Sequence, residues 1–342
     1  MERKNMKEQP QLSERTIQEL ATETIQKAMK AGATAADALV IDGTSLSASV
    51  RHGNIEMLER SESTGIGLRV FAGKRQAMVS ASDFRPETLN ELVERAIFMA
   101  KLAPEDPHAS LAPEDRLVSE TVELDLYDAH EPTADALLDE AKQLESLAIS
   151  QKGITNSEGA DASYSANEIA LATSAGFEKA YRNSAHSRSV SVLAGEGTLM
   201  ERDYGFSSAR HMLDLKKIDE IADEAVSRAL KRLNPKKVKT TNVPVIFDKR
   251  VSRELLGSFA GAINGAAIAR GTSFLKESMG ENIFGKNISI INDPLIKRGL
   301  ASKPFDAEGV APQKLDLVSN GTLNQWLLAM HAANQLGLQT NG

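Results

Sequence analysis

Residues 35–81 read AADALVIDGTSLSASVRHGNIEMLERSESTGIGLRVFAGKRQAMVSA, and their apolar side chains recur with a period of two. ADALVI (36–41) runs into Asp42-Gly43, which reads as a hairpin-type turn. Leu46, Ala48 and Val50 alternate up to His52-Gly53-Asn54, a second turn. Ile55 and Met57 mark the next extended stretch. Ile66, Leu68 and Val70 alternate after Gly65, and Ala77 and Val79 follow the turn at Gly73. This spacing predicts antiparallel strands with one covered face.

Helical spacing brackets the strands. In residues 16–31, Ile17, Leu20, Ala21, Ile25, Ala28 and Met29 fall on one face, and Gly32 is the stop. A second helix starts at Pro86, a residue suited to the first helical position, with Leu89, Leu92, Val93, Ala96, Ile97 and Ala100 as its apolar face. Pro104, Pro107 and Pro113 then mark an acidic linker. The same order of elements follows. A helix carries Leu137, Leu138, Ala141, Leu144 and Ala148. Strand-like EIALAT (168–173) and RSVSVLA (188–194) come next, and a helix from Ile218 to Leu230 closes the unit at Asn234-Pro235.

A third region opens with VPVIF (243–247), which reads as a short buried strand, with Asp248 placed to cap the helix after it. That helix is rich in glycine, serine and alanine. ISII (288–291) reads as a strand, and LDLV-SNG-TLNQWLL as a hairpin with Asn320-Gly321 at its turn. The expected fold class is α+β: two helix-flanked antiparallel-sheet units, then a β-rich C-terminal domain. The expected domains are 1–112, 120–235 and 240–342. The third is expected to be incomplete.

Composition narrows the function classes. The chain has 342 residues, 41% hydrophobic and 25% charged, with a net charge of −7. That balance and an aromatic share of 4% speak against a nucleic-acid surface. Charge is uneven. Residues 101–150 carry 3 basic and 13 acidic residues, and residues 201–250 carry 12 basic and 8 acidic. The basic run KRLNPKKVK (231–239) reads as a helix C-terminus followed by a solvated linker, with a phosphate-binding patch as the sharper alternative. With no cysteine, no disulfide, thiolate metal site or cysteine nucleophile comes from this chain. The opening MERKNMKEQPQLSER lacks the apolar core of a signal peptide, so a cytoplasmic protein without membrane attachment is expected.

No catalytic constellation emerges from residue types. The six histidines are His52, His108, His130, His186, His211 and His331, and no two have the spacing of a helical metal motif. His130-Glu131 is followed by proline and reads as an exposed turn. Gly65-Ile66-Gly67 lacks the third glycine of a dinucleotide fingerprint. Its glycines are expected to allow close approach of a neighbouring strand or a peptide. Asp293, Arg298, Asp306 and Glu308 sit in a glycine-punctuated loop region and read first as a structural turn network.

Several stretches together resemble the TldD/PmbA family, in its PmbA (TldE) branch. They are GIGLRVFAGKRQAMVSASD (65–83), NSEGA (156–160), ALATSAGFEKAYRNSAHSRSVSV (170–192), MERDYGFSSARH (200–211), RGTSFL (270–275) and NDPLIKRGLASKPFDAEG (292–309). The resemblance runs from about residue 34 onward, with the motifs in the family's order. It implies a heteromeric zinc-dependent protease acting on small or unfolded peptides, in which a TldD partner carries an HExxxH zinc helix and a cysteine ligand. It also implies the historical label of DNA gyrase modulator.

The helix after VPVIF resembles the counterpart of that zinc helix. Gly257 and Ser258 stand at the His-Glu pair and Ala262 at the second histidine, and none of these side chains suits zinc ligation or base catalysis. The expectation is therefore a subunit with no catalytic residue, metal or cofactor of its own. Zinc is expected in a TldD-like catalytic partner, and the other partner is a peptide or unfolded protein. Gly65, Gly67, Arg69, Asp293, Arg298 and Asp306 are the candidate peptide-groove or interface residues. The alternatives are an independent metallopeptidase of the same family and a DNA-gyrase regulator.

Overall fold

The computed structural model describes residues 16–342; the reading of the first fifteen as lacking a signal peptide lies outside them. The first unit is helix α1 (Ile17–Lys30), strands β1 (Ala35–Arg51), β2 (Asn54–Ala72) and β3 (Arg75–Ala81), and helix α2 (Pro86–Leu102). Thr16 and Glu19 form a reciprocal capping box on α1, and Gly32 ends it at φ 101°. The second unit repeats the order: α3 (Ala134–Ile149), β4 (Ile154–Thr173), β5 (Glu178–Ala194), β6 (Glu201–Ala209) and α4 (Ile218–Arg232).

The two units share one sheet. Its strand order is β3-β2-β1-β4-β5-β6, antiparallel throughout, with β1 paired to β4 at the centre. Ala36, Ala38 and Val40 of β1 pack under α1 and α2, and Leu46, Ala48 and Val50 pack under α3 and α4. These positions have one parity, so both helix pairs cover the same face at opposite ends of the long strands.

Two sequence readings are corrected. Asp42-Gly43 is not a turn but lies inside β1, opposite Glu168 and Asn167 of β4. A Cβ at Gly43 would come within 2.6 Å of the Asn167 side-chain oxygen, so the glycine serves close strand approach. VPVIF is not a buried strand. Residues 243–247 carry no strand pairing and are exposed, Ile246 at 96%.

The third region follows. Helix α5 (Lys249–Ala262) is capped by Asp248, whose side chain accepts the Arg250 N–H, as expected. Then come α6 (Gly265–Ala269), the small sheet β7 (Ile290–Asn292), β8 (Leu315–Ser319) and β9 (Thr322–Leu323), and α7 (Met330–Leu336). The β8–β9 hairpin turns at Asn320 and Gly321, both at positive φ as a two-residue turn requires. Phe259, Ile263, Leu275, Leu317 and Leu323 form its core.

This region covers the sheet face opposite the helices. Phe305 and Ala311 pack with Leu39, Leu171, Phe177 and Val118. The proline-rich connection after α2 is drawn into that contact, where Val118 N–H donates to the Gly309 carbonyl at 2.9 Å. No helix among the described residues is long and apolar enough to cross a membrane.

Candidate functional site

A cleft of about 690 Å³ lies between the helix-free sheet face and the third region. Its floor comes from the odd-numbered residues of β1 and the β2 positions opposite them. Asp37 faces Arg69, and Leu39 faces Gly67. Met78 of β3 and Leu171 of β4 flank them. Asp293, Lys303, Asp306 and Glu308 stand on the third-region wall, together with Leu327 and Leu328.

Gly67 opens this floor. A Cβ there would touch nothing within 4 Å, and one at Gly65 would only graze the Ala81 carbonyl at 4.0 Å. The expected tight strand approach at this glycine pair is therefore not what they provide. They leave the sheet bare where a side chain would otherwise project into the cleft.

The polar centre is Asp37, Arg69 and Glu308. Arg69 Nε donates to Asp37 Oδ2 at 2.7 Å, Nη2 donates to the same oxygen, and Nη1 lies 3.5 Å from Glu308 Oε1. The guanidinium also sits 5.3 Å from the Phe71 ring centroid. Glu308 Oε2 accepts the Met330 N–H at 3.0 Å, at the start of α7. Burial raises the Asp37 carboxyl above its ordinary value against the pull of Arg69. Burial raises Glu308 as well; Asp306 and Asp37 add to it, and the Met330 N–H and Arg69 oppose it. Two carboxylates share one cation in a partly dry setting, so Arg69 holds the sheet floor to the third-region wall.

The residues singled out from sequence divide into two places. Gly67, Arg69, Asp293 and Asp306 meet at the cleft, and Gly65 is the next position on the same sheet face, opposite Ile41. Arg298 is elsewhere: at φ 56° it pairs with Asp125 at 2.6 Å and Asp214 at 3.0 Å. The expected network of Asp293, Arg298, Asp306 and Glu308 is thus split. Asp306 closes its own loop by accepting N–H groups of Glu308 and Val310. Sequence reasoning missed Asp37, although a carboxylate inside ADALVI on the face opposite Ala36, Ala38 and Val40 was a legible signal.

Gly257, Ser258 and Ala262, expected from the sequence at zinc-helix positions, do not fit a zinc ion. Gly257 and Ser258 are exposed on α5, and Ala262 packs into the third-region core. None carries an imidazole or carboxylate. Among the described residues, no three His, Cys, Asp or Glu side chains gather as a metal site elsewhere. The basic run 231–239 is the end of α4 and an exposed connection, and Arg232 faces Glu201 and Asp203.

Comparison with known proteins places these features. Three family models match in order: PmbA/TldA metallopeptidase domain 1 at residues 36–100, its central domain at 127–233 and its C-terminal domain at 240–342. Metalloprotease PmbA of Escherichia coli O157:H7 is 33% identical over 331 residues, which is 96% of this chain and 74% of that protein. A solved Bacteroides thetaiotaomicron structure, described as a candidate modulator of DNA gyrase, superposes with a TM-score of 0.89 at 24% identity, covering 95% of this chain and 75% of that one. TldE from Thermococcus kodakarensis superposes at 0.81 with 21% identity, covering 94% and 73%. The three domain matches and the PmbA identity, carried on one continuous sheet with its third-region cover, make this chain a member of the PmbA/TldD metallopeptidase family, in its PmbA branch.

Proposed function

We propose that this chain is the peptide-holding, non-catalytic subunit of a two-component cytoplasmic metalloprotease. A TldD-like partner supplies zinc and the catalytic base, and this chain presents small or unfolded peptides to it. The reading rests on taking α5 as the counterpart of the family's zinc helix, where Gly257, Ser258 and Ala262 offer no imidazole or carboxylate. The cleft supports the second half of the reading. It has walls that mix apolar and charged side chains, a bare glycine floor and a fixed guanidinium–carboxylate centre, which suit an extended chain of loosely specified sequence. Residues 1–112, 120–235 and 240–342 are the proposed domains.

Co-expression with a TldD-like subunit tests this directly. The two chains are expected to co-purify, and peptide cleavage is expected only from the pair. Metal analysis of this chain alone is expected to give no stoichiometric zinc. Stoichiometric zinc together with cleavage by the isolated chain would establish an independent metallopeptidase and sink the proposal.

A further inference from the structure

We propose a second peptide-binding site, on the free outer edge of β2 at residues 54–65. It takes an extended segment of alternating basic and apolar residues by strand addition. The inference rests on reading the chain as a peptide-handling protein, but it concerns a surface remote from the third-region wall and needs no catalytic partner.

The edge is defined by what pairs with β2. On one side, β1 pairs along its whole length, from Arg51↔Asn54 to Ala35↔Phe71. On the other, β3 pairs only from Ile66 to Ala72. Among the described residues, no main-chain group bonds to the outer edge of residues 54–63, and all ten are exposed. Ten residues of strand give roughly 33 Å of unused donors and acceptors.

The second unit shows the same place filled. By element order β5 corresponds to β2, and β6 pairs only with its later half, residues 186–194. The early half of β5 is the counterpart of the bare β2 edge. There residues 124–128 of the interdomain connection lie alongside, turning at Asp125 (φ 51°). Ser184 N–H donates to the Leu126 carbonyl at 3.0 Å, the Ser184 hydroxyl accepts from Asp128 N–H at 2.8 Å, and Arg182 stacks 3.7 Å from the Tyr127 ring centroid. Leu124 and Leu126 are buried by it. The fold thus accepts added main chain at this position in one unit and leaves the position open in the other.

The edge is held ready. At its tip, the buried Glu145 of α3 accepts the N–H groups of His52 and Gly53 at 2.9 and 2.8 Å. Further along, Arg60 reaches Glu131 at 2.6 Å. A fixed edge binds without first paying to order itself.

Its side chains select the occupant. Arg60 is already met by Glu131 and Glu62, whereas Glu56 and Glu59 pair with no cation among the described residues. Leu58 lies opposite Ala48 on the helix-bearing face, and Met57 and Glu59 lie opposite Ser49 and Ser47 on the other. Arg60 and Glu62 continue the Leu58 face as an ion pair already satisfied, so an added strand meets Leu58 on that face and the uncompensated Glu59 carboxylate on the other. Over residues 54–63 the edge carries Glu56, Glu59 and Glu62 against the single cation Arg60, so its net charge attracts a basic segment and opposes a second copy of itself.

Hydrogen exchange on the full chain tests this, with two acetylated probe peptides about twelve residues long: alternating Lys/Val and alternating Glu/Val. Lys/Val is expected to slow exchange across 54–65 and leave the β6 edge, 201–209, unchanged; Glu/Val is expected to do neither. In the exposed double variant E56K/E59K, Lys/Val binding is expected to weaken about tenfold and Glu/Val to bind instead. Protection confined to the cleft around Gly67, or absent, would overturn the site while leaving the cleavage assay with the TldD-like subunit untouched. A peptide-free dimer protected at 54–65 would overturn it in favour of a second copy.

Discussion

Asp37 and Arg69 face each other across β1 and β2, and the guanidinium gives two N–H groups to a single Asp37 carboxylate oxygen. The pair's third member, Glu308, comes from a loop more than two hundred residues away in sequence and brings the third region onto the sheet.

Replacing the cation leaves two mostly buried carboxylates facing each other. Arg69→Met is expected to cost about 3–5 kcal/mol in denaturant unfolding, the usual penalty for breaking a buried pair from one side. The pH dependence carries a sign. Asp37 and Glu308 already have raised values in the folded state, so the fold holds more protons than the unfolded chain between the ordinary and the raised values. Their contribution to stability therefore grows as pH falls through that window. Losing Arg69 raises both further, so the variant's deficit against the parent is expected to shrink on acidification from neutral pH. A deficit that stays constant with pH would show that packing, not charge, sets the cost.

Gly67 separates folding from binding. Its Cβ position is open and its φ is not in the positive range, so Gly67→Phe adds a side chain that a strand accepts. The unfolding midpoint is expected to stay within about 0.5 kcal/mol of the parent, as for substitutions away from packed sites. The phenyl ring projects into the cleft, so peptide cleavage by the reconstituted pair is expected to fall, mainly through a higher KM. Unchanged KM in a folded variant would remove the cleft from the substrate path.

The period-two and helical spacings marked β1 to β5 and the four helices of the sheet layer, because one face of each is buried and the other wet, although they broke β1 at Asp42-Gly43 and left β6 unmarked. What they could not show is that both units contribute to one sheet. That depends on β1 pairing with β4 across more than a hundred residues, and register between distant strands leaves no local trace. VPVIF read as buried because it is apolar, yet nothing in the described structure covers it. At the site, Arg69, Gly67, Asp293 and Asp306 were visible as charged or glycine positions in distinctive stretches. Their convergence, and the exclusion of Arg298, follow only from how the third region lies on the sheet.

Gly205 tests the closeness of helix α4 to the sheet. A Cβ there would sit 2.2 Å from the Ile221 carbonyl oxygen and 3.2 Å from the Ala225 nitrogen, both main-chain atoms that cannot step aside singly. Gly205→Ala is expected to push α4 off β6 and destabilise the fold by about 1–3 kcal/mol. Gly257→Ala is the control, since its Cβ meets nothing within 4 Å and a helical glycine gives up about 1 kcal/mol against alanine. The two alanine variants should move the unfolding midpoint in opposite directions.

His186 gives the acid limb of the stability profile. It is buried on β5 with its ring 4.9 Å from Tyr164, and its Nε2 has no hydrogen-bond partner, lying 3.2 Å from Asp128 Oδ2. Burial lowers its pKa below the ordinary 6.5; Asp128 and Glu140 pull upward, while His130 and His211 push down with the burial. The unfolded chain therefore binds a proton that the folded chain does not, in the window from 6.5 down to the lowered value. Stability is lost as pH falls through that window. The neighbouring carboxyl of Asp128 is itself held low: burial would raise it, but the N–H groups of Met212 and His130 and the nearby His186 and His211 outweigh that. It thus stays charged there and does not supply the slope. His186→Phe keeps a ring against Tyr164 and removes the titration. Its urea-unfolding free energy is expected to fall less steeply than the parent's as pH drops below about 6.5, and parallel slopes would assign the acid sensitivity to the carboxylates instead.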